Sequence, residues 1–427
     1  MSQETLNNLF TPLTREQRQL EAIKKWVKAK GAATIVAATG VGKTYIALQV
    51  IKKLITIYPN FHTIVVVPTD ALRKQWEELV NNWKLSGVEV KVMMGTSKLH
   101  LECDLLTIDE AHRINSEVLS NILLNTKYKF ILGLTATFER LDGRHEILAK
   151  YAPVCDTITM QDALLNGWVS RYKDYVVLID VPDIDVYKKY NTEFVKHFEY
   201  FNYDFNLIMS LLGPKGFINR AKYRDQICKD PSMSKEVFKQ ITYHATAFMR
   251  CLQARKKFVH NHPEKLRIAK EIIKKRPNSK IITFSANVAM AEAFKDGYVY
   301  TGKEGKKKNR MTLEEFRTLP AGVLHSCKLA EEGISLPDLS VGIMLGVNSS
   351  KTKQVQTLGR IVRLSEETKV AEFFTLVIND TIETEWMLKS RSDSNFTIID
   401  EENLYKVLDG EPYEPYKKKV QNFTYRF

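Results

Sequence analysis

The sequence predicts an α/β protein of two parallel-sheet domains, with a helical insertion in the second. Three observations predict it. Continuous β-branched apolar runs alternate with helix-periodic runs twice, first between residues 33 and 137 and again between 264 and 378. Glycine, hydroxyl and charged residues gather where the apolar runs end, which is where open α/β sheets hold ligands. The 427 residues also exceed what one hydrophobic core comfortably organises. The expected division is 1–155, 156–385 with the insertion at 186–262, and a tail at 386–427.

Residues 14 to 29 read as a helix, with Leu20, Ile23, Trp26 and Val27 on one stripe and Thr14 as its cap. The apolar run Ala33 to Val36 follows, then two glycines in a loop, then a helix over Tyr45 to Ile55. His62 to Thr69 is a β-branched run ending at Pro68, suited to a strand covered on both faces. A helix over Asp70 to Trp83 precedes strands at Val88 to Met94, Leu105 to Asp109 and Tyr128 to Leu134. Tyr175 to Val181 is the strand expected to open the second domain.

Composition changes after that strand. Tyr187, Tyr190, Phe194, Phe198, Phe201, Phe205, Ile208 and Leu212 recur every three or four residues, as on one face of a helix. That periodicity marks them as packing core before base-stacking platforms, and Gly213-Pro214 breaks the run. From Asn219 to His260 the chain stays helical and basic. The α/β rhythm then resumes: helix Glu264 to Lys275, strand Lys280 to Phe284, helix Asn287 to Lys295, strand Gly297 to Tyr300. A basic loop, Gly302 to Arg310, precedes helix Thr312 to Leu319 and strands at Gly322 to His325, Val341 to Leu345 and Glu372 to Ile378. The tail is expected to hold one helix, Glu402 to Leu408, and a loosely attached end.

A net charge of +13 and a pI near 9.2 favour a polyanionic partner, since basic proteins gain from displacing counterions on nucleic acid. Cys103, Cys155, Cys228, Cys251 and Cys327 are scattered with no C-x-x-C pair, which argues against a disulfide framework or zinc site and for a reducing compartment. The first residues lack a charged-then-apolar signal, and no apolar run approaches membrane-spanning length. A cytoplasmic protein, of a bacterium or a phage-infected host, is expected; the nucleus stays open.

Three motifs carry chemistry. Ala37-Ala38-Thr39-Gly40-Val41-Gly42-Lys43-Thr44 joins a strand to a helix. Its glycines let backbone N–H groups turn toward an anion, Lys43 reaches outer phosphates and the Thr44 hydroxyl can hold Mg²⁺, so ATP with magnesium is the expected ligand. Ala37 stands where the general pattern has glycine. Asp109 and Glu110 close a buried strand, and neighbours at a strand end point different ways. Asp109 is therefore expected on the metal and Glu110 as base toward the hydrolytic water. Arg360 and Arg363 lie three apart at the head of a helical stretch, on one side, as fixed-charge fingers for a γ-phosphate. The string Asp409 to Lys417 has the composition of a nuclease site but no strand to hold metal ligands.

In order, these motifs resemble a superfamily 2 helicase of the DEAH-box type over nearly the whole chain. Ala37 to Thr44 is similar to motif I, Val67 to Trp76 to Ia, Asp109-Glu110-Ala111-His112 to II and Leu134 to Thr137 to III. Ile281 to Ser285 is similar to IV, Glu332 to Pro337 to V and Gln356 to Arg363 to VI. Val-Pro-Thr with the following Gln-Trp, and Thr135 to Gly143, look most like the XPB-like and phage UvsW-like DNA helicases. Residues 186–262 match poorly. The resemblance implies two RecA-like domains closing on ATP. It implies phosphate and Mg²⁺ contacts at Lys43 and Thr44, coupling at His112, Thr135, Thr137 and Gln356, and a nucleic-acid track at Pro68, Thr69, Ser285 and Gly333. It also implies an adenine-reading glutamine: the spacing to Trp26 favours Gln19, and Leu13-Thr14 favours Gln17. Motif V usually has Asp where this chain has Ser335. Forked or branched DNA, contacted through its backbone without sequence readout, is the expected substrate. RNA, or a translocase subunit whose insertion docks a protein, are the alternatives.

Overall fold

A computed structural model of the chain describes residues 13–416 apart from 39, 97–98, 112–115, 137–145, 169–171, 328–335, 337, 348–369 and 391–395. Thr39, His112, Thr137, Gly333, Ser335, Gln356, Arg360 and Arg363 lie outside the described residues.

The first sheet has six strands: β1 (Ala32–Ala37), β2 (Thr63–Val67), β3 (Val88–Val92), β4 (Leu101–Ile108), β5 (Thr126–Thr135) and β6 (Val154–Ile158). Their order is β3-β2-β4-β5-β1-β6 and every pairing is parallel. β2 is TIVVV, buried at every position, as a strand covered on both faces must be. The helices Arg15–Lys28, Lys43–Ile57 and Asp70–Asn82 cover one face of the sheet, sealing a core around Trp26, Ile35, Ile46, Leu48, Val65 and Trp76, while Ile64 and Val66 pack with Leu119 and Ile122 on the other face. The helix Arg15–Lys28 begins in a capping box in which Thr14 accepts from the Gln17 N–H and Gln17 accepts in return from Thr14. The expected border after residue 155 falls inside β6. The short helix Met160–Leu165 and Trp168 pack into the same core.

The second sheet has seven strands: β7 (Tyr172–Ile179), β8 (Lys280–Phe284), β9 (Tyr298–Tyr300), β10 (Gly322–Ser326), β11 (Val341–Met344), β12 (Ala371–Ile378) and β13 (Thr397–Ile399). The order is β13-β7-β12-β11-β8-β10-β9, again all parallel. The helix expected over Glu402 to Leu408 in the tail is present as Glu401–Asp409, and the strand β13 just ahead of it was not expected. Ile399, Leu404, Val407 and Leu408 are buried against Val177, Phe374 and Ile272, so this stretch belongs to the second core. A three-residue strand is too short to announce itself by alternation. The basic stretch expected as a loop over Gly302 to Arg310 instead turns at Gly305 into the helix Lys306–Thr318.

Between β7 and β8 the insertion folds as the helices Ile184–Glu199, Phe205–Leu212, Gly216–Ile227 and Ser234–Asn261. Phe194, Phe198, Phe201 and Ile208 of the aromatic stripe bury with Ile241, Ala245 and Phe248, and Gly213 ends the second helix where Gly-Pro breaks the periodicity. Tyr190 and Phe205 are exposed.

Candidate functional site

β1 delivers the chain into the phosphate loop at the C-terminal edge of the first sheet. There the Ala38 N–H donates to the Ile158 carbonyl (2.8 Å) and the Val41 N–H reaches the Ala38 carbonyl (3.3 Å). Gly40 and Gly42 have φ of +95° and +94°, a backbone that L side chains rarely adopt, and Gly42 caps the helix that starts at Lys43. Starting that helix at Lys43 rather than at Tyr45 puts its free N–H groups and positive end at the loop itself. Val41 is fully buried, pinning the loop, while Thr44 is half-buried in the first turn.

Gln19 sits beneath this loop at 2% exposure. Its Nε2 donates to the Val41 carbonyl (2.7 Å) and its Oε1 accepts from Gln49 Nε2 (3.4 Å), so both ends of the amide are engaged inside the protein. A Cβ on Gly42 would stand 2.6 Å from Gln19 Nε2. Gln19 is therefore a buttress of the phosphate loop in this structure. Gln17 is exposed, with its carbonyl engaged by the Thr14 N–H (2.8 Å).

Asp109 and Glu110 follow β4, two strands from β1. The Asp109 carboxylate is buried and accepts from Trp76 Nε1 (2.8 Å) and from the Glu110 N–H (2.9 Å). Burial, and secondarily the neighbouring Glu110 carboxylate, raise the Asp109 pKa to about 6. Glu110 has φ +49°, a strained position for a residue with a side chain, and that turn swings its carboxylate toward the phosphate loop. Lys43 Nζ lies 3.9 Å from Glu110 Oε1 and donates to the Ala37 carbonyl (3.2 Å). Strand order thus gathers Lys43, Asp109 and Glu110, 66 residues apart in sequence, around one point.

Thr135 is buried at the end of β5, in register with Val36 of β1, and so borders the same edge. Pro68 and Thr69 leave β2 half-buried, and Thr69 caps the next helix by accepting from the Leu72 N–H (3.3 Å). Ser285 leaves β8 in the second sheet. Its N–H donates to the Ser326 carbonyl (2.8 Å), and its buried Oγ has no hydrogen-bond partner among the described residues. The sequence did not mark Trp76 as a partner of Asp109. Only its place in the Gln75-Trp76 pair hinted at a role, since 33 residues separate Trp76 from Asp109 and no local pattern links them.

The donor set suits a nucleotide phosphate with a divalent cation: two left-handed glycines, at one of which, Gly42, a Cβ would clash, one buried lysine, and a buried carboxylate beside a half-buried one, whose mutual repulsion a cation would relieve. Comparison with known proteins agrees with that chemistry. The ERCC3/RAD25/XPB C-terminal helicase family matches residues 212–425, half of the chain, and the res subunit of type III restriction enzymes matches residues 13–101 and 93–140. The DNA 3'-5' translocase XPB2 of Sulfurisphaera tokodaii is 26% identical over 393 residues, covering 86% of this chain and 84% of that protein. The DNA 3'-5' helicase XPB of Mycobacterium tuberculosis is 21% identical over 405 residues, and the match spans 62% of its length. The transcription and DNA repair factor IIH helicase/translocase subunit XPB of Antonospora locustae is 25% identical over 309 residues, 70% of this chain and 36% of that protein. Among solved structures, the Pyrococcus furiosus Hef helicase domain superposes with a TM-score of 0.51 at 16% identity, covering 89% of this chain and 99% of that one. Saccharomyces cerevisiae Dbp5 superposes with a TM-score of 0.55 at 12% identity, covering 92% and 91%, and at these identities both speak for the two-sheet helicase fold alone. The chain belongs to the ERCC3/RAD25/XPB helicase family and is an ATP-dependent DNA helicase/translocase.

Proposed function

We propose that this protein remodels forked or branched DNA, in preference to RNA, by hydrolysing ATP with Mg²⁺ between its two sheet domains. The observation that carries it is the convergence of Lys43, Asp109 and Glu110 under the phosphate loop, with Lys43 Nζ already 3.9 Å from Glu110 Oε1. Thr44 and Asp109 would hold the metal, which when bound neutralises developing phosphate charge. Lys43 leaves the Ala37 carbonyl and Glu110 to bind phosphate oxygens, and the carboxylate so released accepts the proton of the attacking water. The fold around Asp109 keeps it dry, which strengthens each of these interactions. Arg360 and Arg363, in the second half of the chain, are proposed to complete the site from the other domain, so that turnover opens and closes the cleft. His112, Thr135, Thr137 and Gln356 are proposed to pass that motion to a track formed by Pro68, Thr69, Ser285 and Gly333.

The strong positive charge supports backbone contact with a polyanion. An ATPase titration over single-stranded, duplex, forked and four-way DNA and the matching RNAs tests the proposal. Forked DNA is expected to give the largest stimulation; equal or greater stimulation by RNA, or none by any DNA, would sink it. A docking role for the insertion is a second reading, carried by Phe217 at 69% and Ile218 at 54% exposure beside Arg220 and Lys222. Its test is whether the isolated chain unwinds DNA only when a partner protein is added. The Antonospora relative is by name a subunit of a larger factor.

A further inference from the structure

Where the insertion rejoins the second sheet, three consecutive residues each grip a different part of the domain. His260 Nε2 lies 3.3 Å from the Val347 carbonyl, and burial lowers its pKa to about 4, so the ring is neutral and donates that bond. Asn261 Oδ1 accepts from Asn287 Nδ2 (2.5 Å), just past the exit of β8. His262 Nε2 meets Asp183 Oδ1 at 3.0 Å, tying the end of the insertion to its beginning.

Three residues on, Lys265 and Glu383 form an ion pair in which both side chains are wholly buried. Lys265 Nζ donates to both Glu383 oxygens (2.7 and 2.6 Å) and to the Leu345 carbonyl (2.8 Å). Glu383 accepts from the Ile378 N–H (3.1 Å) and from the backbone of Val347. Packed apolar residues in such a place are often at least as stabilising as an ion pair, so stability alone does not explain it. Its bonds do: five charge-assisted contacts hold the exits of β11 and β12 in one arrangement, and His260 adds the insertion to the same joint.

We propose that this joint is a positioning device: through His260, Lys265 and Glu383, the long insertion helix Ser234–Asn261 sets the exit of β11, from which the chain runs on to Arg360 and Arg363. A helix of 28 residues spans about 42 Å, so a small tilt caused by DNA at its far end is felt at its base. The insertion would thereby license the arginines, and DNA would stimulate hydrolysis by this route. The inference rests on the assignment of Arg360 and Arg363 as phosphate fingers.

The test compares full-length variants by melting temperature and by ATPase with and without a forked DNA duplex. Lys265→Met combined with Glu383→Leu replaces the pair with apolar residues of similar size. It is expected to melt no lower than the parent, keep its KM for ATP within twofold, and lose DNA-stimulated kcat at least tenfold. His260→Phe keeps the ring against Trp386 but not the donor; it is expected to cut stimulation about fivefold with basal turnover unchanged, and His260→Gln, which keeps a donor, to restore it. Should the double variant fail to fold, the two His260 variants decide alone. Stimulation within twofold of the parent in the folded variants would overturn the joint as a positioning device. Arg360→Ala separates the two ideas: undiminished ATPase there removes the finger assignment, whereas a dead Arg360→Ala beside fully stimulated His260→Phe removes only the coupling.

Discussion

Asp109 is held where its ionised form is disfavoured. Its folded pKa of about 6 lies above the ordinary 3.8, because burial and the Glu110 carboxylate disfavour the ionised form. A carboxyl that binds its proton more tightly when folded stabilises the fold below about pH 4, and that contribution fades as pH rises through about 6. Without nucleotide, the protein is therefore expected to melt higher near pH 5 than near pH 7.5 through this residue. The full difference is about 1–3 kcal/mol. Asp109→Asn should lack that slope while losing hydrolysis; an identical slope in the variant would assign the pH effect elsewhere. Lys43→Ala removes the cation that faces Glu110 and is expected to lower ATPase by about 10²–10³ while DNA retention on a filter persists. Both residues were legible in the sequence, because a strand–loop–helix with Lys-Thr and a strand ending in Asp-Glu are local patterns. Trp76 and Gln49 were not, since each acts only through a residue far away in the chain.

At the scale of elements, the phosphate loop is shaped as much by the helix beneath it as by its own glycines. Gly42→Ala meets two obstacles at once, a φ of +94° and the Gln19 amide 2.6 Å from the new Cβ. The expected cost is about 1–3 kcal/mol, with nucleotide binding lost more than tenfold, measured by melting and by titration with a fluorescent ATP analogue. Adding Gln19→Ala should recover only part of the stability, because the dihedral strain stays. Long apolar runs such as Thr63–Val67 declared themselves as strands. β6 and β13 did not, and they attach the flanking segments to sheets that the sequence divided elsewhere. Their few residues bury apolar side chains only because a sheet edge already waits for them.

For the molecule as a whole, the insertion hangs from one neck. Asp183 and His262, bonded at 3.0 Å, bring its two ends together, so a short glycine-serine linker can replace residues 184–261 without stretching the second sheet, although it uncovers Ile382, which is buried with Tyr187 and Val259 and donates its N–H to the Tyr187 hydroxyl (2.9 Å). That variant is expected to stay folded and keep basal ATPase within about threefold, while forked-DNA unwinding and DNA stimulation disappear. Retained unwinding would show that the insertion serves something other than the motor. The positive charge of +13 makes any such DNA binding steeply dependent on salt.

The amino-acid order by itself determined the family motifs and the two sheets, because each is written in periodicities and spacings a few residues long. Tertiary structure alone decided that Gln19 supports the loop from below, that Trp76 holds Asp109, and that Lys265 finds Glu383 118 residues later. Such contacts depend on which strands become neighbours. That is settled by packing across the whole sheet, and it leaves no trace in the sequence around either partner.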